Sequence, residues 1–196
     1  MNKRSKKFLE AVARGDVSRV KKHLEREGQA DLARDQHDRT ALMLAVDLGH
    51  VAVVRALLEA GADPTLSTSK VSPWRSVVDR SPLMVEVLAK AVDVNAPLDE
   101  FGNTPLMLAA REYQAEIVAL LLEFGADPSA RTPRGTTAVD WAEDEPEDVI
   151  PGEESCPHWR QATIDVLKEA MEAGGALPRE RVAALLPEWG RSTQWD

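Results

Sequence analysis

Cysteine is nearly absent from this chain. The single Cys156 excludes an intramolecular disulfide and any metal site built from several cysteines. It stands in an acidic stretch, where neighbouring carboxylates disfavour the reactive thiolate. Aromatic residues are scarce, at 5% of 196 residues with one Tyr and three Phe. Hydrophobic residues still make up 43%, so the core must be packed from Leu, Val and Ala. No apolar run approaches the roughly 20 residues that cross a bilayer, which argues against a membrane partner. The basic opening MNKRSKKFLEAVARGD is not followed by an apolar stretch of signal-peptide type, and a cytoplasmic location is expected. Catalytic patterns are missing too. The four histidines, His23, His37, His50 and His158, form no HExxH pair, and no Gly-rich phosphate loop or GxSxG elbow is present. No enzyme activity, no cofactor and no metal is expected.

Positive charge is confined to one region. The net charge is −9, yet residues 1–34 carry ten Lys or Arg against five acids, a local +5 that leaves −14 on the remainder. A predominantly acidic body argues against nucleic acid as a partner, because phosphate contacts need a positive field. The basic start would suit a small anionic group. It also suits a solvated end face, the usual place for a charge run. Arg outnumbers Lys 16 to 8, the balance of a GC-rich bacterial coding sequence.

What the chain does have is a sentence written twice. Residues 40–64 read TALMLAVDLGHVAVVRALLEAGADP and residues 104–128 read TPLMLAAREYQAEIVALLLEFGADP, an ungapped offset of 64. Ser72-Pro73-Trp74 stands midway, 32 residues from each copy's start, and Gly135-Thr136-Thr137-Ala138 follows Gly102-Asn103-Thr104-Pro105 at a spacing of 33. Thr40 and Thr104 are placed to cap a helix, and Pro105 suits a first helical position. Leu42, Ala45 and Val46 recur as Leu106, Ala109 and Ala110, one face of a short helix. Val53, Val54, Leu57 and Leu58 recur as Ile117, Val118, Leu121 and Leu122 on a second helix, which Gly61 and Gly125 end. A unit of this kind buries its apolar face only against a neighbouring copy.

The period of 32–33, the T-P-L start, the L-A-A run and the G-A-D end closely resemble the ankyrin repeat. The resemblance covers residues 5–175 and implies an all-α fold: an ankyrin-repeat solenoid of stacked helix-turn-helix units with short β-hairpin-like fingers. About five repeats are expected, at 5–34, 35–66, 67–98, 99–131 and 132–175, followed by a C-terminal capping helix and tail over 176–196. Three places depart from the pattern. The third repeat puts Trp74 where Leu42 sits, while Ser81-Pro82 restarts its second helix. The finger after Asp93 is about two residues longer. The fifth repeat is interrupted by residues 143–157, EDEPEDVIPGEESCP, with seven acids in fifteen positions, a solvated loop or an acidic arm. A helix resumes near 158–173 with Ile164, Leu167 and Met171 as its buried face and Trp159 and Val166 at its edges. A last helix is expected at 178–186. The tail carries Trp189 and Trp195, which either pack back or anchor a partner.

The resemblance also implies a site. In ankyrin-like proteins the fingers and the exposed side of each first helix form a concave protein-binding surface. The matching positions are Gln36, His37, Arg39, Asp47 and Leu48; then Thr68, Ser69, Val71, Asp79 and Arg80; then Glu100, Phe101, Asn103, Arg111 and Glu112; and Thr132, Pro133, Arg134 and Thr136. They escape the packing demands of the repeat. Phe101, an aromatic at a fingertip, is either an anchor for a partner or folded down on Leu98. His50 follows Gly49 at a turn and reads as structural. The expected function is recognition of another protein by a monomer, as an adaptor or regulator. The alternative is an immunity- or inhibitor-like protein that blocks a toxin or enzyme by occupying its active site.

Overall fold

The structure, a computed structural model, describes residues 3–28, 30–66, 74, 81–144, 157–175, 177 and 179–186. They form two compact units, Met1–Val92 and Asp93–Asp196, and every regular element described is helical.

In the first unit, α1 (Lys3–Ala13) and α2 (Val17–Glu27) pack against each other. Asp16 starts α2 by accepting the backbone N–H of Arg19, and Gly28 ends it in the left-handed region. The turn between them needs Gly15 for two reasons. Its φ is 70°, and a Cβ there would lie 3.0 Å from the His50 ring. Next come α3 (Ala41–Asp47) and α4 (Val51–Glu59). Thr40 caps α3 through its hydroxyl, which accepts the Met43 N–H at 3.2 Å. Every residue from Ala41 to Val46 is buried, because this short helix packs on both α1 and α4. Trp74, which stands where Leu42 does in the preceding repeat, is helical and buried as Leu42 is. The helix α5 (Pro82–Ala89) closes the unit against α4. Ser81 occupies its N-cap, but its hydroxyl makes no capping bond, so Pro82 at the first turn carries the start alone.

The second unit repeats the scheme. Thr104 caps α6 (Pro105–Arg111), and α7 (Ala115–Glu123) follows. Thr137 and Asp140 form a reciprocal capping box at the start of α8 (Ala138–Glu143). The long α9 (Pro157–Ala173) packs on α7 and α8, and α10 (Arg179–Leu185) packs on α9. In both units first helices stack on first helices, α1 on α3 and α6 on α8. Second helices stack on second helices, α2 on α4 and α7 on α9. Ala45 and Ala109 sit fully buried on these stacked faces, where a larger side chain would push the helices apart.

The buried face of α9 is wider than its pattern predicts. Val166 and Thr163 are fully buried and Met171 only half-buried. A helix held between two neighbours and a following helix needs more than one apolar stripe. Arg160 also ties α9 to its partner, donating to the last carbonyls of α8 at Ala142 and Glu143.

Candidate functional site

The fingers are turns closed by a repeated device. Asp35 N–H donates to the Arg39 carbonyl, Leu98 N–H to the Asn103 carbonyl, and Thr132 N–H to the Thr136 carbonyl, at 2.7–3.0 Å. A side chain supports each closure from within. Asp35 Oδ1 accepts the Arg39 N–H, Asp99 Oδ1 the Asn103 N–H, and Thr132 Oγ1 the Thr136 N–H. The tip residues Asp38, Gly102 and Gly135 all have positive φ, at 61°, 77° and 87°. A Cβ on Gly102 would lie 2.7 Å from Pro133 Cδ, so this finger rests directly on the next. The starts of two fingers are tied to the neighbouring repeat. Asp63 N–H donates to Asp31 Oδ2 at 3.0 Å, and 64 residues later Asp127 N–H donates to Asn95 Oδ1 at 2.8 Å.

This scaffolding absorbs several of the predicted recognition residues. Arg39 donates from Nε to Asp35 at 2.8 Å and from Nη1 to Asp47 at 2.5 Å, a half-buried bridge from finger to helix α3. Burial raises the Asp35 pKa. The Arg39 backbone N–H and guanidinium and the His37 N–H outweigh it, so the carboxyl lies below its usual range. At the equivalent positions Asn103 is 7% exposed and donates to Asp99 at 2.9 Å. Thr132 is buried as well. Arg39, Asp47, Asn103 and Thr132 therefore do not escape the packing demands of the repeat, because the finger itself must be closed with polar groups. Arg111 takes the position of Asp47 but does something else. It pairs with Glu112 at 2.9 Å and lies 5.7 Å above the Trp141 ring.

Apart from the half-buried Thr136, the remaining described positions are presented to solvent. In the first unit Gln36 and His37 are exposed and bonded to each other at 3.1 Å, and Leu48 is 47% exposed at the end of α3. In the second unit Glu100, Arg111, Glu112 and Arg134 are exposed. Phe101 is 57% exposed, with its N–H held by Asp99 Oδ1 at 3.0 Å. The fingertip aromatic is thus displayed on a fixed turn. Leu32, 74% exposed in the first finger, is an apolar residue that the repeat pattern did not single out. The predicted residues Thr68, Ser69, Val71, Asp79 and Arg80 lie outside the described residues, as do most of 143–157 and both tail tryptophans.

The helix-pair turns carry structural side chains. His50 Nε2 lies 3.1 Å from the Ala13 carbonyl, which fastens the α3–α4 turn to the end of α1 and agrees with its structural reading. Tyr113 adopts φ 53° and donates its hydroxyl to the Asp144 carbonyl at 3.1 Å. Among the described residues, no group of three or more His, Cys, Asp or Glu is placed to hold a metal ion, and no helix is long and apolar enough to cross a membrane.

Stacked helix pairs joined by polar-closed fingers at this spacing define a helical repeat protein. The family described as ankyrin repeat matches residues 37–69 and 101–133, and the chain is an ankyrin-repeat protein. It is similar to the ankyrin repeat protein nuc-2 of Neurospora crassa, 32% identical over 139 residues, which cover 69% of this chain and 13% of that protein. It is also similar to mitochondrial disaggregase of Bos taurus, 33% identical over 140 residues, 69% of this chain and 20% of that one. Palmitoyltransferase Hip14 of Drosophila melanogaster is 32% identical over 101 residues, 50% of this chain and 16% of that enzyme. The chain thus spans a fifth or less of each of these relatives. Ankyrin repeats are in general protein–protein interaction modules.

Proposed function

We propose that this protein is a non-enzymatic adaptor or regulator that binds another protein through its fingers and the exposed ends of its first helices. The observation that carries the reading is Phe101, a large apolar side chain 57% exposed at a fingertip whose backbone is locked by Asp99. An aromatic held out on a rigid turn loses little entropy on binding and suits a desolvated contact. Five repeats with the boundaries given above, acting as a monomer in the cytoplasm, complete the proposal. The exposed finger and helix-end residues are mixed: Gln36 and His37 are polar, Leu32, Leu48 and Phe101 apolar, Glu100 and Arg134 opposite in sign. That mixture favours an adaptor over an inhibitor, since an acidic plug for a basic active site would present carboxylates alone.

The test is affinity capture from cells of the source organism, comparing the wild type with a Glu100→Ala, Phe101→Ala variant. The proposal expects one or more proteins to be lost from the variant while its thermal melting stays unchanged. An identical set of captured proteins would remove this finger from the binding surface.

A further inference from the structure

The helices α1 and α2 enclose a cleft of about 260 Å³ that the finger surface does not use. Its walls are predominantly positive. Arg4 and Lys7 from α1 face Arg19, Lys22 and Arg26 from α2, with Glu27 the single acid in the lining. Phe8 and His23 lie stacked between them, ring centroids 4.2 Å apart. Acids hold the two ends: Arg4 pairs with Glu27 at 3.2 Å and Arg19 with Asp16 at 3.2 Å. Lys7, Lys22 and Arg26 have no carboxylate partner among the described residues.

A polar end face meets its need for water with mixed charges. Gathering cations from two helices into one cleft instead adds repulsion that a bound anion would relieve. The spacing indicates what kind of anion. Arg19, Lys22 and Arg26 recur once per turn along α2, so the charge extends over about 10 Å. One phosphate group would meet only part of that row, whereas successive carboxylates on a peptide follow it. A long polyanion such as nucleic acid would also meet the −14 carried by residues 35–196. We infer that the cleft between α1 and α2 is a second docking site, for an acidic peptide segment of a partner protein.

The test is fluorescence anisotropy of a labelled hexaglutamate peptide on the full chain. The wild type should bind it and ignore hexaglutamine, and added salt should weaken the binding. Lys7→Glu with Lys22→Glu should weaken it by about tenfold or more. Lys3→Glu with Lys6→Glu, the same change of charge on α1 but outside the cleft, should weaken it by about twofold at most. If the glutamate reversals disturb the melting curve, Lys7→Gln with Lys22→Gln against Lys3→Gln with Lys6→Gln makes the same comparison more gently. The inference is overturned if the wild type does not bind, or if both pairs weaken binding equally, which would mean a diffuse field. It is overturned too if inorganic phosphate or a short duplex DNA displaces the peptide at lower charge concentration, which would make this a phosphate site.

Discussion

Arg39 is where one side chain decides how a finger meets its helix. It answers two carboxylates, Asp35 on the finger and Asp47 on α3, both only partly exposed. Replacing Asp35 by Asn removes the charge and keeps the shape. At pH 7 this should lower stability by roughly 1–2 kcal/mol, the scale of a charge-assisted hydrogen bond. The pH dependence has a definite sign. Asp35 is held below the unfolded carboxylate value of about 3.9, so its contribution is complete above that range and is lost as the pH falls through the lower folded value. The gap between wild type and Asp35→Asn in denaturant melts should therefore narrow below about pH 4. A gap that stays constant with pH would contradict the assignment. Gly15 gives a second test. Alanine there meets both the positive φ and the His50 ring 3.0 Å away, and should cost about 1–3 kcal/mol. Adding His50→Ala should recover only the part due to contact, because the backbone strain remains.

Every described helix except α9 is shorter than the roughly 12–15 residues an isolated helix needs, so its caps and its neighbours decide whether it forms. Thr137 illustrates the first point. Its hydroxyl accepts the Asp140 N–H while Asp140 accepts the Thr137 N–H at 2.7 Å. Thr137→Val keeps the volume and removes the bond, and should cost about 1 kcal/mol by thermal melting. Leu57 and Leu121 illustrate the second. They are the same position in the two matched copies and both are fully buried. Either one changed to Ala should cost about 2–5 kcal/mol. Helix positions and the Thr caps were legible in the sequence, because packing repeats every copy with the same letters. The width of the α9 face was not, since its neighbours α7 and α8 come from elsewhere in the chain. Nor was the bridge through Arg39, because its counterpart Asn103 performs the same closure with different chemistry.

At the scale of the whole molecule, the apolar residues matched between 40–64 and 104–128 are the ones that pack. The residues that differ between copies divide in two. Some, such as Arg39 and Asn103, close their own fingers. Others, such as Phe101 and Leu48, remain displayed. Sequence spacing marks both groups as finger or helix-end positions. Only the hydrogen-bond geometry separates them, and Leu32 joins the displayed group only because the structure leaves it uncovered. Under the proposed function, the partner is met by the fingertips and not by the second helices. Amide hydrogen exchange on the captured complex measures this directly. The account predicts slower exchange over residues 98–103 and the neighbouring finger at 131–136, with the second helix α7 unchanged. Protection confined to α7, with the fingers exchanging as in the free protein, would contradict it.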